Sequence, residues 1–278
     1  MAMKYSELKF QRYCLASDDT ECTEVSQLLA PEIAVGISYN GLNHAVMMAT
    51  PEDLEDFALG FSFTSGIVDQ REQILDVEMA SVEEGVLLEI TLSQRALSRL
   101  KQQRRNLAGS SGCGLCGVEA LSQVLSIDGV AEEKLSCDFF SPLPPIPHLS
   151  ELRGRFLAAQ KNRQLRGAMH CALYVDQSGE TVLCREDIGR HNALDKLLGA
   201  CLVEGVDIRR GFVAITSRCS LELIQKSVRA GVGTLVSLSS PSDISVRWAR
   251  RYRLNLLHQP ASDAPRIYSG SDIQEKNL

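Results

Sequence analysis

The chain has 278 residues, of which 44% are hydrophobic and 23% charged, and a formal net charge of −6 at pH 7. These proportions are typical of a globular protein, and the length suffices for two domains. The acidic balance excludes a broadly basic nucleic-acid-binding surface, and no run of about 18 apolar residues predicts a membrane helix. We therefore expect neither nucleic acid nor a membrane among the partners.

The N-terminal stretch MAMKYSELKFQRYCLASDD lacks the apolar core and cleavage site of a signal peptide, which predicts a cytoplasmic protein. The nine cysteines are odd in number, and Cys171, Cys184 and Cys201 stand singly among apolar residues. In a reducing cytosol these three are expected to be thiols that serve as small core residues.

The first part of the chain begins with a predicted hairpin and helix. Apolar runs over residues 34–48 surround Asn40-Gly41, a pair that tolerates positive φ and is typical of a tight hairpin turn. The stretch TPED that follows predicts a helix start, with Thr50 as the N-cap and Pro51 in the first turn.

A second hairpin is predicted over residues 74–92, followed by a helix that Ser93 caps. The helix has a run of basic residues without an acid, namely Arg95, Arg99, Lys101, Arg104 and Arg105. A solvated helix face is the plainer explanation of this run, and a surface that meets an anion is the alternative.

The proline-rich stretch SPLPPIPHLS predicts a stiff linker over residues 141–150 in which no helix forms. We place the domain boundary there, between an N-terminal α+β domain (1–140) and a C-terminal domain (151–278). In the second domain, strands and helices alternate, which predicts a partly parallel sheet covered by helices on both faces. The fold class is therefore α/β, or α+β over the whole chain. The predicted strands cover 172–175, 181–184, 212–216, 234–238 and 254–257, and the predicted helices cover 189–202, 220–230 and 243–253.

The stretch SSGCGLCG places Cys113 and Cys116 three residues apart among glycines, in a loop predicted over 108–117 with a short helix after it. A helix N-terminus and a basic neighbouring helix both favour the reactive thiolate form. In a cytosolic chain this spacing indicates redox, metal or sulfur chemistry in preference to an incidental pair.

A metal site is the least favoured of these chemistries. Structural zinc needs four ligands, and this chain has one cysteine pair with no HxxxH after it. The zinc deaminase signature is missing too, since no histidine is followed by xE. We therefore expect no metal ligands. A thioredoxin-like pair would follow a strand, whereas this pair follows a helix, and a flexible tether suits a thiol that carries sulfur as a persulfide.

Polar turns in the second domain are candidate anion-binding sites. CREDIGRHNALDKLLG, residues 184–199, brings many charges and His191 to a strand-to-helix turn, which ordinary helix capping explains equally well. The turns at 216–220 and 239–242 offer hydroxyl groups and helix starts beside Arg218, which suits phosphate. Serine caps alone explain most of this second pattern.

Four stretches of the chain form an ordered set of motifs, namely YNGLNHAVMMATPEDLEDFALGF, RRNLAGSSGCGLCGVEAL, EDIGRHNALDKLLG and TSRCSLELIQKS. Taken together and in this order, they resemble the FdhD/NarQ family of formate dehydrogenase accessory sulfurtransferases. The resemblance covers residues 31–257 and is far more specific than a single CxxC.

The resemblance implies an enzyme that takes sulfur from a cysteine desulfurase as a persulfide on Cys113, with Cys116 assisting or relaying. It implies delivery of that sulfur to the molybdenum of bis(molybdopterin guanine dinucleotide), the cofactor of formate dehydrogenase, which is the client. The cofactor would be a substrate, with none held permanently. A homodimer is implied as well, and so is a C-terminal three-layer α/β/α domain similar to cytidine deaminases without their zinc ligands.

The resemblance also gives the polar turns a ligand. The implied cofactor-binding residues are Asp187, Arg190, His191, Ser217, Arg218 and Lys226. One segment departs from the family pattern, because residues 259–264 replace an aromatic residue, a basic residue and a Gly-Arg pair. Arg266 substitutes for the missing basic contact, or binding is weaker, or the pocket has diverged. Two other functions stay open, a chaperone that only holds the cofactor and a dithiol oxidoreductase.

Overall fold

The computed structural model describes residues 7–13, 22–83, 85–109, 140–161, 167 and 169–271. In these residues, strands β1 (Glu7–Tyr13) and β2 (Cys22–Leu28) form an antiparallel ribbon. The rest of the described chain forms two units, which we call the N-terminal unit (33–109) and the C-terminal unit (140–271). Each unit is built around its own sheet.

The N-terminal unit has a four-stranded sheet in the order β4-β3-β6-β5. Both predicted hairpins are confirmed, and a parallel β3/β6 pair joins them at the centre of the sheet. Its elements are β3 (Ile33–Tyr39), β4 (Leu42–Ala49), α1 (Leu54–Thr64), β5 (Ile74–Val82), β6 (Gly85–Leu92) and α2 (Gln94–Gly109).

Helix α1 starts later than the sequence predicted. Asp53, with φ 54°, precedes the first helical residue, and its carbonyl accepts the first helical hydrogen bond from Phe57 N at 3.0 Å. The prediction of Thr50 as the N-cap is wrong, because Thr50 is fully buried and its hydroxyl donates to Asp187 at 2.9 Å. The Thr50 hydroxyl is thus bonded to the buried Asp187 carboxylate of the C-terminal unit and does not cap α1.

The C-terminal unit has a six-stranded sheet in the order β12-β11-β10-β9-β7-β8. The pairs β9/β10 and β10/β11 are parallel and the other pairs are antiparallel. Its elements are α3 (Ile146–Ser150), α4 (Leu152–Ala159), β7 (His170–Val175), β8 (Thr181–Asp187), α5 (Arg190–Val203), β9 (Phe212–Arg218), α6 (Leu221–Arg229), β10 (Thr234–Ser239), α7 (Asp243–Arg251), β11 (Asn255–His258) and β12 (Arg266–Ser269).

Alternate residues of β7 show that helices cover both faces of this sheet. Ala172 and Tyr174 pack into a core with residues of α5, α6 and α7. Leu173 and Val175 pack on the opposite side with residues of α3 and α4. The predicted three-layer α/β/α arrangement is thus confirmed, while the similarity to cytidine deaminases stays a prediction.

The prolines of 141–150 do not exclude a helix, and that prediction is wrong for the second half of the segment. Helix α3 begins at Ile146, with Pro147 in its first turn. A proline is tolerated there because the N–H that it lacks would have no partner within the helix. The domain boundary itself stays a prediction.

The two units meet where α1 crosses α5. A Cβ atom at Gly60 would lie 1.8 Å from the carbonyl oxygen of Asp195, and one at Gly199 would lie 1.9 Å from that of Asp56. The helix backbones are therefore in direct contact, and only glycine fits at these two positions. This crossing packs α1 against the helix layer formed by α5 and α6.

Candidate functional site

Cys113 and Cys116 lie outside the described residues, so their predicted role is carried by sequence alone. Helix α2 ends at Gly109, four positions before Cys113. On α2, Arg95, Lys101 and Arg104 are exposed. Arg99 instead pairs with Asp69 and bonds the carbonyl of Ile67. The basic run is therefore mostly a solvated helix face.

The carboxyl edge of the six-stranded sheet gathers most of the other predicted residues, and we call it the polar edge. Strand β8 ends there at Asp187, and α5 begins there with Arg190 and His191. Strand β9 ends there with Ser217 and Arg218. Connections at the carboxyl ends of parallel strands are the usual ligand sites of such sheets.

His191 links the starts of two helices on the polar edge. Its Nε2 lies 3.3 Å from Glu222 Oε2 and 3.5 Å from Ser220 Oγ, both at the start of α6. Burial lowers the pKa of His191 from its ordinary value, and the neighbouring positive charges of Arg190 and Lys226 act in the same direction. The ring is therefore neutral near pH 7 and can act as a hydrogen-bond donor or acceptor.

The serine turns at 216–220 and 239–242 lie side by side. The carbonyl of Cys219 accepts from Ser245 Oγ at 3.0 Å and from Ser242 N at 3.4 Å, which joins the starts of α6 and α7. Arg218 and Arg190 are exposed on this edge, while Ser217 is buried and its hydroxyl donates to the carbonyl of Arg218. The two arginines are thus the predicted residues most accessible to an anion.

Asp187 is fully buried in a network between the units. Its carboxylate lies 2.7 Å from Lys196 Nζ and accepts hydrogen bonds from Thr50 N, Thr50 Oγ1 and Asn192 Nδ2. Lys196 also donates to Thr50 Oγ1 at 2.8 Å. We call the set Thr50, Asp187 and Lys196 the first threonine clamp.

Lys226 belongs to a second network of the same design. Its Nζ lies 2.8 Å from Asp195 Oδ2 and donates to Thr64 Oγ1 at 3.1 Å. Thr64 in turn donates to Asp195 Oδ1 at 2.7 Å, and Lys226 Nζ lies 5.5 Å from the centre of the Phe61 ring. Thr64, Asp195 and Lys226 form the second threonine clamp. The clamps hold the two ends of the α1 region against the C-terminal unit.

Sequence reasoning gave Thr50 a different role, and it missed Thr64 and the pairing of the two lysines with the aspartates. Thr64 is the last residue of α1 and is separated from Asp195 by 131 positions. Spacing along the chain carries no signal for such a contact. Asp195 and Lys196 lie within the charged stretch 184–199, whose sequence gives no sign of these pairings.

The segment that departs from the family pattern folds on itself. Gln259 Nε2 donates to the carbonyls of Pro260 and Asp263. Arg266 pairs with Asp263 at 2.8 Å. The next residue upstream, His258, is buried, and in the described residues its Nδ1 has no hydrogen-bond partner. Arg266 is therefore engaged locally, and its substitution for a missing contact stays a prediction.

Two further findings concern the described part of the chain alone. No cluster of three or more His, Cys, Asp and Glu side chains there could bind a metal ion. None of its helices is long and apolar enough to cross a membrane.

Comparison with known proteins gives the class and then the family. A crystal structure of a protein described as a formate dehydrogenase accessory protein from Desulfotalea psychrophila has the same fold, with a TM-score of 0.70 and 19% identity. The match covers 96% of this chain and 98% of that one. The model of the FdhD/NarQ family matches residues 30–274, and this chain belongs to that family.

Curated relatives agree with this assignment. A protein of Cupriavidus necator named sulfur carrier protein FdhD is 39% identical over 244 residues, which is 87% of this chain and 81% of the relative. A protein of the same name from Variovorax paradoxus is 41% identical over 246 residues, covering 87% of this chain and 84% of the relative.

Proposed function

We propose that this protein is a sulfur carrier that supports the maturation of a formate dehydrogenase. The observation that carries the proposal is the Cys113-x-x-Cys116 motif within a chain that matches the FdhD/NarQ family over residues 30–274. The names of the relatives, sulfur carrier protein and formate dehydrogenase accessory protein, support it.

In the proposed reaction, the Cys113 thiolate attacks the outer sulfur of a desulfurase persulfide, and the desulfurase cysteine leaves as a thiolate. Cys113 then carries the terminal sulfur. Cys116 assists its release: the Cys116 thiolate attacks Cys113 Sγ, a Cys113–Cys116 disulfide forms, and the terminal sulfur leaves as hydrosulfide for the molybdenum of bis(molybdopterin guanine dinucleotide). A cellular dithiol then reduces the disulfide, and the cofactor, which is a substrate, leaves with the client enzyme. Cysteine desulfurase is thus the donor and formate dehydrogenase the client, and the carrier acts as a homodimer.

The polar edge is the proposed contact surface for the dinucleotide. Arg190 and Arg218 are exposed there, and the starts of α5 and α6 have no side-chain cap in the described residues. Backbone N–H groups at helix starts and guanidinium groups both suit phosphate oxygens. His191 offers a neutral ring between these helix starts, and Ser217 a buried hydroxyl.

Asp187 and Lys226 have a different part in this proposal. Each already forms an ion pair within a threonine clamp, and their side chains are 0% and 8% exposed. We assign them the positioning of α5 and α6, whose first turns carry Arg190, His191 and Glu222. Direct contact between these two side chains and the cofactor stays a prediction.

Two assays test the parts of this proposal. Formate dehydrogenase activity in cells that lack their own carrier should be restored by the parent chain and not by Cys113→Ala. Restoration by Cys113→Ala would contradict the sulfur-carrier function and favour a chaperone that only holds the cofactor.

Binding of guanosine diphosphate, measured by calorimetry, tests the polar edge. Arg190→Ala and Arg218→Ala should each weaken binding about tenfold, the loss expected for one charge-assisted contact of about 1.4 kcal/mol. Arg247→Ala is the matched control, because Arg247 is exposed on α7 and pairs with Asp243. If all three variants bind guanosine diphosphate as tightly as the parent protein does, the nucleotide does not bind at the polar edge.

A further inference from the structure

Two cysteines that the proposed function does not use are in contact in the C-terminal unit. The Sγ atoms of Cys171 on β7 and Cys184 on β8 are 3.4 Å apart. Cys171 lies opposite Glu186 and Cys184 lies opposite Leu173, so the two cysteines are diagonal neighbours on one face of an antiparallel pair. Diagonal neighbours are about 7–8 Å apart, a distance that only long side chains normally span, so the short sulfur–sulfur distance means that both thiols turn toward each other.

The two sulfur atoms differ in access. Cys171 is 1% exposed, whereas Cys184 is partly exposed and lines a surface cavity of about 410 Å³. The lining of this cavity carries both basic side chains (Lys161 and Arg185) and acidic ones (Glu52, Asp53 and Glu186). A small solute can therefore reach Cys184 but not Cys171. Cys184 is therefore the cysteine that a reagent reaches first, and Cys171 is its buried partner.

Two other cysteines in the described residues provide a contrast. Cys201 and Cys219 are buried in the core with α5, α6 and α7, and burial raises the pKa of each thiol to about 12. A thiol with such a pKa holds almost no thiolate at neutral pH and is chemically inert. These two residues are the natural controls for the contacting pair.

We propose that Cys171 and Cys184 form a redox-active dithiol that a hydroperoxide converts into a reversible disulfide. The Cys184 thiolate attacks one peroxide oxygen, the O–O bond breaks, and hydroxide or alkoxide leaves and takes a proton. Cys171 Sγ then attacks the sulfur of the Cys184 sulfenic acid. The S–S bond forms as the S–O bond breaks, and the departing hydroxide takes the Cys171 proton as water. Two electrons pass from the sulfurs to the peroxide.

The location of the pair permits this closure. The sulfurs must approach to about 2.05 Å, and rotation of the two side chains with a small shift of β8 can supply the difference. β8 is an edge strand that pairs with β7 alone in the described sheet. The Cys171–Cys184 disulfide would form next to the polar edge, because Cys171 N donates to Thr216 Oγ1 at 3.0 Å and β8 ends at Asp187.

Peptide mapping tests the proposal directly. Trypsin leaves both cysteines in one peptide, residues 167–185, and cleavage after Glu180 then divides that peptide between them. After treatment with hydrogen peroxide and alkylation of remaining thiols, only a disulfide would hold 167–180 to 181–185. The linked pair should form in the full-length protein and disappear on addition of dithiothreitol.

Variants separate this pair from the other cysteines. The link should be lost completely in Cys184→Ser, and it should persist in Cys201→Ser and in the double variant Cys113→Ser/Cys116→Ser. Persistence in the double variant keeps the result independent of the proposed sulfur transfer. Recovery of both Cys171 and Cys184 as alkylated thiols, or of Cys184 as a sulfinic acid with Cys171 alkylated, would overturn the proposal. So would a link that forms only when Cys113 and Cys116 are intact.

Discussion

At the scale of single residues, the two threonine clamps explain why charged side chains of the second unit are buried. Lys226 and Asp195 are 8% and 2% exposed, and a buried ion pair is tolerated only when further hydrogen bonds satisfy its atoms. Thr64 supplies such bonds to both partners. A threonine of the N-terminal unit thus completes an ion pair of the C-terminal unit.

Removal of one clamp charge should therefore destabilise the fold. We expect Lys226→Met to lower the free energy of unfolding by about 3–5 kcal/mol, because it leaves the Asp195 carboxylate buried without its partner. Urea unfolding measures the change. Arg218→Met, at an exposed position on the same edge, should change it by less than about 0.5 kcal/mol. A Lys226→Met variant as stable as the parent would show that the clamp does not stabilise the junction.

The lowered pKa of His191 gives a pH dependence with a definite sign. Burial lowers the pKa in the folded protein, opposed by Glu222 and Asp195 and reinforced by Arg190 and Lys226. The unfolded chain binds the proton first as the pH falls below about 6.5, so stability is present above that pH and decreases below it.

The midpoint of thermal unfolding, followed from pH 7.5 to pH 5, should therefore decrease. His191→Gln, which cannot be protonated in this range, should decrease less steeply. A parallel decrease in both proteins would assign the acid sensitivity to other groups. His170, whose pKa burial and Arg190 also lower, would then be the next candidate.

At the scale of elements, the crossing of α1 and α5 determines how the units are joined. Gly60 and Gly199 place backbone against backbone, so that a methyl group at either position would overlap a carbonyl oxygen. Tight packing of this kind tolerates little added volume. The crossing also delivers Thr64, the last residue of α1, to the second clamp.

Alanine substitutions at glycines of two helices test this contact. Gly60→Ala should lower the free energy of unfolding by about 1–3 kcal/mol or more, because α1 and α5 must separate to admit the methyl group. Gly154→Ala in α4 is the matched control. Apart from its chain neighbours and the backbone of α4 itself, no atom of the described residues lies within 4 Å of its added Cβ, and better helix propensity should stabilise the variant by about 0.5–1 kcal/mol. Equal behaviour of the two variants in urea would contradict the packing account.

Sequence patterns predicted the elements where local rules dominate. Asn40-Gly41 fixed the first hairpin, and the alternation of strands and helices from β7 to β11 predicted the three layers. The patterns were wrong about Thr50 and about the helix at Ile146. The first error arose because Asp187, 137 positions away, accepts from the hydroxyl, and the second because a proline in a first turn does not break a helix.

The candidate site was predicted only in part for the same reason. The polar edge follows from strand order, so the proximity of the turns at 216–220 and 239–242 was predictable. Which charged residues of the polar edge are exposed and which are buried in ion pairs could not be predicted from the sequence. Arg190 and Asp187 lie three positions apart in sequence, yet one is exposed and the other is fully buried. That difference is set by contacts with the N-terminal unit.

At the scale of the whole molecule, the clamps and the glycine crossing join two units that have separate cores. The buried ion pairs of the C-terminal unit are completed by Thr50 and Thr64 of the N-terminal unit. Unfolding of the N-terminal unit alone would therefore leave these charges without their threonine hydrogen bonds. We therefore expect the units to unfold together, although each has its own sheet.

The single tryptophan, Trp248, lies in the core of the C-terminal unit and reports on that unit alone. Its fluorescence and the far-ultraviolet circular dichroism of the whole chain should give the same transition in urea, within error. Two distinct transitions in the parent protein would show that the units are independent domains.

The central claim is that Cys113 carries sulfur, and one measurement tests it most directly. The intact protein is incubated with a cysteine desulfurase and cysteine, and its mass is compared with those of Cys113→Ala and Cys116→Ala treated alike. The account predicts that the parent gains the mass of one sulfur atom and that Cys113→Ala gains none. A parent protein without added sulfur, or an equal gain in Cys113→Ala, would contradict it.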